Sequence, residues 1–91
     1  MHKPFTDEYL FSEDEAVSLI QSIDLQFYVY TLINPITKLP FYVGKGTGYR
    51  CFSHWENRRK EDNPKSRYLN KLAKSGLKPL YAFEEFFEDE N

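Results

Sequence analysis

Residues 27 to 44 limit the possible folds more than any other part of this chain. Phe27-Tyr28-Val29-Tyr30-Thr31-Leu32-Ile33 is rich in aromatic and β-branched side chains, and Asn34-Pro35 then breaks it. Such a run reads as a strand. Pro40-Phe41-Tyr42-Val43-Gly44 reads as a second, and the short, turn-rich link between them predicts an antiparallel hairpin. Period-two alternation then puts Tyr28 and Tyr30 on one face of the first strand, where the second strand brings Tyr42 near them.

Around this hairpin the chain gives clear helix and strand signals. Residues 1 to 11 read as an irregular arm with Pro4 early in it. Ser12 followed by Glu15 is a capping box, and Ala16, Val17, Leu19, Ile20 and Ile23 recur at helical spacing, so an amphipathic helix is predicted over about residues 13 to 22. Lys45-Gly46-Thr47-Gly48 reads as a flexible exit from the second strand. A helix over about residues 48 to 59 would then put Arg50 and His54 on one face, at i and i+4. Asn63-Pro64 starts another helix with Tyr68, Leu69, Leu72 and Ala73 on its apolar side, and Gly76 sits where a C-terminal cap is expected. Leu80 to Phe87 reads as a third strand. The fold class that follows is α/β in the broad sense, or α+β: a small three-stranded antiparallel sheet flanked by helices. Residues 1–26 form an arm and an added N-terminal helix, and residues 27–91 form the main domain.

A chain of 91 residues holds one core, and its 18% aromatic content supplies buried area that so short a chain otherwise lacks. One cysteine, Cys51, excludes an intramolecular disulfide and suits a reducing compartment. No long apolar run suggests a membrane span or export signal, so the expected location is the cytoplasm. Charge is unevenly spread. Residues 38–78 carry eleven Lys and Arg (Lys38, Lys45, Arg50, Arg58, Arg59, Lys60, Lys65, Arg67, Lys71, Lys74, Lys78) against Glu56, Glu61 and Asp62, while both flanks are acidic. A basic middle suits phosphate, since Lys and Arg supply most non-specific nucleic-acid affinity. Solvated helix faces that keep the protein soluble would look the same.

Taken singly, the polar residues of this stretch have ordinary explanations. Strand tyrosines usually pack their rings, a lone arginine is usually a surface cation, and a lone histidine is more often structural than catalytic. Cys51 has no oriented base beside it and reads as a buried small residue. Lys45-Gly46-Thr47-Gly48 lacks the spacing of a phosphate-binding loop.

Their order is more specific. Tyr28-Val29-Tyr30, then Tyr42-Val43-Gly44, then Arg50 and His54 one turn apart resembles the GIY-YIG nuclease family. "PFYVGKG" and "GLKPLYAFEEF" also look like this family, and the resemblance covers roughly residues 27 to 90. Tyr28 stands where the family has glycine; the functional tyrosine of the triplet is Tyr30. The resemblance implies a metal-dependent DNA endonuclease. Tyr30 would orient or deprotonate the attacking water with Tyr42 beside it, and Lys45 would help lower a tyrosine pKa. Arg50 would hold two phosphate oxygens through its planar fork, and His54 would hold the network together. Arg58, Arg59, Lys60, Lys65, Arg67 and Lys71 would track the DNA backbone with little base discrimination.

The family also implies a single Mg²⁺ or Mn²⁺ held by a glutamate on a helix after the third strand. Here Glu88-Asp89-Glu90-Asn91 looks like the lead-in to that helix, and the sequence ends there. The metal-binding residue is therefore unassigned. Either that helix lies beyond Asn91, or Glu84, Glu88, Glu13 or Glu15 substitutes, or the chain is a catalytically incomplete module that binds nucleic acid or a protein partner as an inhibitor or regulator. Cutting both strands from one site needs a homodimer or two successive nicks.

Overall fold

Ser12 starts the first helix by the means its sequence predicts. Its Oγ accepts from the Glu15 N–H at 3.3 Å, and its own N–H donates to Glu15 Oε1 at 2.9 Å. Three acids, Glu13, Asp14 and Glu15, lie in the first turn, where the helix dipole favours negative charge. The structure is a computed structural model that describes residues 10–23 and 27–87. The helix α1 spans Glu13–Ser22 and buries Ala16 and Ile20.

The hairpin forms as expected. Strand β1, Phe27–Ile33, pairs antiparallel with β2, Pro40–Thr47. Asn34 builds the turn, its Oδ1 accepting from the N–H groups of Ile36 at 2.7 Å and Thr37 at 3.0 Å. Strand β2 runs three residues further than the sequence reading gave it. Lys45, Gly46 and Thr47 are paired with Val29, Tyr28 and Phe27, so the glycine-rich exit is strand. Gly46 is tolerated there because the stem of Arg50 fills the space over it.

The predicted helix over 48–59 is also corrected. A 3-10 helix spans Gly48–Phe52, α2 spans only Ser53–Glu56, and turns follow. Gly48 starts this segment at φ 57°, a left-handed conformation that favours glycine. Helix α3, Pro64–Lys74, keeps its predicted devices. Asn63 Oδ1 caps the Ser66 N–H at 2.8 Å, and Gly76 follows the helix at φ 73°. Strand β3, Leu80–Phe87, closes a three-stranded antiparallel sheet in the order β2-β1-β3.

Tyr28, Tyr30 and Leu32 point from the central strand into a core shared with Ala16, Ile20, Cys51, Phe52 and Tyr81. The N-terminal helix thus covers the tyrosine face of the sheet and shares its core with the proposed main domain. Lys78 and Glu13 add an ion pair at 2.8 Å, and Phe11 forms an isolated bridge to Tyr81. No described helix is long and apolar enough to cross a membrane. The mixed α+β class and the three-stranded sheet are therefore as expected.

Candidate active site

Cross-strand register builds the floor of the site. Tyr30 is paired with Gly44 and Tyr28 with Gly46, so each glycine lies on the tyrosine face. A Cβ on Gly44 would stand 2.6 Å from Tyr30 Oη and 2.7 Å from its Cζ. The tyrosine ring therefore lies across bare backbone. Gly46 serves Arg50 in the same way: a Cβ there would meet the Arg50 stem at 3.2–3.4 Å. The spacing of these small residues sets where the large ones lie.

Tyr28 anchors the next segment. It is fully buried, and its hydroxyl donates to the Gly48 carbonyl at 2.5 Å, tying β1 to the start of the 3-10 helix that carries Arg50. Burial raises its pKa, so it is a neutral donor. Tyr28 therefore has a structural use in this segment. Cys51 lies in the same core with its thiol pushed up to about 11 by burial, which fits an unreactive packing residue.

Four of the expected residues come together. Tyr30 Oη lies 2.5 Å from His54 Nε2. The Tyr42 ring meets the His54 ring edge-on at 4.8 Å between centroids, and the Tyr30 and Tyr42 rings are 6.4 Å apart. Arg50 is exposed, and among the described residues its guanidinium has no hydrogen bond or ion pair. Its positive charge nonetheless reaches the cluster, opposing the rise in the Tyr30 pKa and adding to the fall in that of His54. Burial dominates both shifts, raising Tyr30 and lowering His54. Tyr42 and Cys51 raise Tyr30 further, and Lys65 lowers His54 further while Glu61 opposes it. At neutral pH the site accordingly holds a neutral phenol beside a neutral imidazole.

Lys45 is not in this group. Neighbours along a strand face opposite ways, so with Gly44 and Gly46 on the tyrosine face the Lys45 side chain leaves from the other, where it lies 5.8 Å over the Phe87 ring. Lys65 takes the inner place instead. Its Nζ is 2.7 Å from His54 Nδ1, and its side chain is only 13% exposed. Sequence reasoning placed Lys65 on the DNA-tracking surface, although it stands at i with Leu69 and Leu72 at i+4 and i+7, the buried stripe of α3.

The other basic residues divide. Arg58 is half-buried, stacked 4.1 Å over the Trp55 ring, with its Nη1 donating to the Trp55 carbonyl at 2.9 Å. Arg59 and Lys60 are exposed on the turn after α2. Arg67 and Lys71 line an open groove with Lys74, and Arg67 pairs with Asp62 at 3.0 Å in an exposed ion pair. Arg59 and Lys74 border an adjoining hollow, so Arg59, Arg67, Lys71 and Lys74 lie along one outer surface.

Candidate metal ligands are less well placed. Glu13 is ion-paired to Lys78, and Glu15 closes the helix cap. The Glu84 carboxylate accepts from Thr31 Oγ1 at 3.4 Å, and Thr31 faces away from the Tyr30 side of β1. Glu88 lies outside the described residues. Among the described residues no group of three His, Cys, Asp or Glu side chains is placed to hold a metal ion. The tyrosine face offers phenol, imidazole and guanidinium groups, whereas Mg²⁺ asks for carboxylate and water oxygens. These described residues alone do not fit that ion.

No protein-family model, curated protein or solved structure matches the chain.

Proposed function

We propose that this chain is a DNA endonuclease of GIY-YIG type that hydrolyses phosphodiester bonds. The observation that carries this reading is the junction of Tyr30, Tyr42 and His54 with an unpaired Arg50 beside them. Residues far apart in sequence supply two phenols, an imidazole and a phosphate-binding fork at one place. A buried neutral phenol hydrogen-bonded to imidazole is a poor default for core packing alone, since it brings several polar atoms into the interior.

Arg50 binds two non-bridging oxygens of the phosphate and faces the charge that develops on them. Tyr30 and Tyr42 border the water. Because burial holds Tyr30 as a phenol, its proton must leave before it can take one from water. In the reacting form the water O–H breaks and its proton passes to the Tyr30 oxygen. The resulting hydroxide bonds to phosphorus, and the P–O bond to the leaving oxygen breaks as that oxygen takes a proton from solvent. Exposed Arg59, Lys60, Arg67 and Lys71 hold the DNA backbone by charge. The resemblance implies Mg²⁺ or Mn²⁺, which would supply Lewis-acid charge at the phosphate.

The lack of a cluster of metal-holding side chains among the described residues favours a second reading, a GIY-YIG-like module that binds nucleic acid or a protein partner without cutting. One experiment separates the two. Supercoiled plasmid is incubated with Mg²⁺ or Mn²⁺ and the parent, Arg50→Ala or Tyr30→Phe. Nicking by the parent that both variants lose supports the nuclease. Salt-sensitive DNA binding without nicking supports the binding module.

A further inference from the structure

We propose that Lys65 is a positioning residue that fixes the tautomer of His54, so that His54 presents its Nε2 proton to the Tyr30 hydroxyl. A lysine side chain ends in an ammonium. It has three donors and no acceptor, so a Lys65 Nζ at 2.7 Å from His54 Nδ1 requires a lone pair on Nδ1. A neutral imidazole with its lone pair on Nδ1 carries its proton on Nε2. That nitrogen is 2.5 Å from Tyr30 Oη, so Tyr30 accepts, and its own O–H is free to turn elsewhere.

The placement of Lys65 is built rather than incidental. Its helix buries the i+4 and i+7 partners Leu69 and Leu72, which keeps this face of α3 turned inward. Its Nζ also lies 5.3 Å over the Tyr42 ring and 3.7 Å from Glu61 Oε1. One ammonium therefore touches the imidazole, one of the two tyrosines beside it, and a carboxylate that holds it from the solvent side. The groups around His54 are Tyr30 from β1, Tyr42 from β2, Arg50 from the 3-10 helix, Lys65 from α3 and Glu61 from the turn before it. Of these, Lys65 alone meets Nδ1.

The protonic order that results runs from Lys65 through His54 to Tyr30. It makes the tyrosine oxygen an acceptor at rest, which favours the phenolate over the phenol and so works against the effect of burial. A lysine that only tracked DNA would have no such dependence on a ring nitrogen.

The test reads the ring directly. The chain has two histidines, so a His2→Gln background leaves His54 as the one imidazole in long-range ¹H–¹⁵N spectra. The parent is expected to show Nε2–H with Nδ1 as a hydrogen-bonded acceptor. Lys65→Met is expected to give mixed tautomers and an upward shift of the His54 titration, because a nearby positive charge is gone; Lys65→Arg keeps the donor and the single tautomer. A parent ring that is Nδ1–H or mixed overturns the proposal, as does a Lys65→Met ring that remains wholly Nε2–H. The parent and Lys65→Arg spectra decide the matter if Lys65→Met fails to fold.

The catalytic consequence rests on the proposed nuclease reading. Lys65→Met should then lower kcat about tenfold or more at unchanged KM, part of the ~10²- to 10⁴-fold that positioned proton-transfer groups supply. A raised KM with a weaker salt dependence and unchanged kcat would instead put Lys65 on the DNA backbone and overturn the proposal. If the parent does not nick plasmid, the nuclease reading fails while the ring spectra still judge Lys65.

Discussion

Gly44→Ala is the sharpest test of how the site is built. Alanine in a strand interior ordinarily gains about 0.5–1 kcal/mol over glycine by reducing the freedom of the unfolded chain. Gly44 does not have a positive φ, so its backbone raises no objection. The obstacle is the ring across it. A Cβ would fall 2.6 Å from Tyr30 Oη and 2.7 Å from Cζ, and reaching ordinary contact requires a shift of about 0.8 Å. Tyr30 is 2% exposed and held by His54, so the ring has little room to move. Overpacking of this kind costs about 1–3 kcal/mol. With the ring so confined the cost lies at the upper end, about 2–3 kcal/mol, and after the backbone gain the net loss is about 1–2.5 kcal/mol, or roughly 4–20 °C in Tm for a domain of this size. Activity should fall more steeply, on the order of 10²-fold, because a displacement near 1 Å misplaces the reacting group. Thermal melts of a double-mutant cycle check the cause. Tyr30→Leu lacks both crowding atoms, so Gly44→Ala should be neutral or stabilising in that background, a coupling of about 0.5–3 kcal/mol. An equal penalty in both backgrounds, or a Gly44→Ala parent melting at or above the original, would refute the account.

Three further outcomes follow from the same geometry. Cleavage should rise about tenfold per pH unit from pH 7 to 9, because the tyrosine pKa is raised and only the ionised fraction can accept the proton; a flat profile in initial nicking rates would exclude that role for Tyr30. His54 has a folded pKa below its usual ~6.5, so the folded state resists its protonation and the unfolded state does not. Its contribution to stability is complete above ~6.5 and is lost as pH falls through the folded value; urea midpoints should drop over that window in the parent and less in His54→Gln. Lys71→Ala should weaken DNA binding evenly across sequences and reduce the salt slope by about one, as filter-binding titrations at several salt concentrations would show.

Local chemistry was legible in the sequence wherever one residue type had one use. The capping box at Ser12 and Glu15, the Asn34-Pro35 turn and the Asn63-Pro64 start gave helix and strand limits that the structure repeats. The glycine-rich end of β2 was not legible, because Gly46 is matched to the stem of Arg50, which only tertiary packing brings over the strand from the segment that follows. The same oversight misplaced Lys45. With β2 continued to Thr47, alternation alone puts Lys45 on the face opposite Tyr42 and Gly44. Lys65 could have been found from its i, i+4, i+7 stripe with Leu69 and Leu72, but a lysine among basic neighbours reads first as surface charge. The junction of Tyr30 with His54 spans twenty-four residues, and only tertiary packing makes it.

The position of β1 at the middle of the sheet also divides the site by the ease with which its parts open. β1 is hydrogen-bonded to a partner on each side, so its amides are released only when the sheet itself comes apart, in the slowest class of hydrogen exchange. Arg50 sits with Gly48 and Tyr49 in the exposed first part of a 3-10 segment whose short-range bonds can break locally. The tyrosine half of the site therefore shares the free energy of global unfolding, while the arginine half belongs to a shallower opening. Mild heat or denaturant should loosen the grip on phosphate well before it disturbs the hydroxyl of Tyr30.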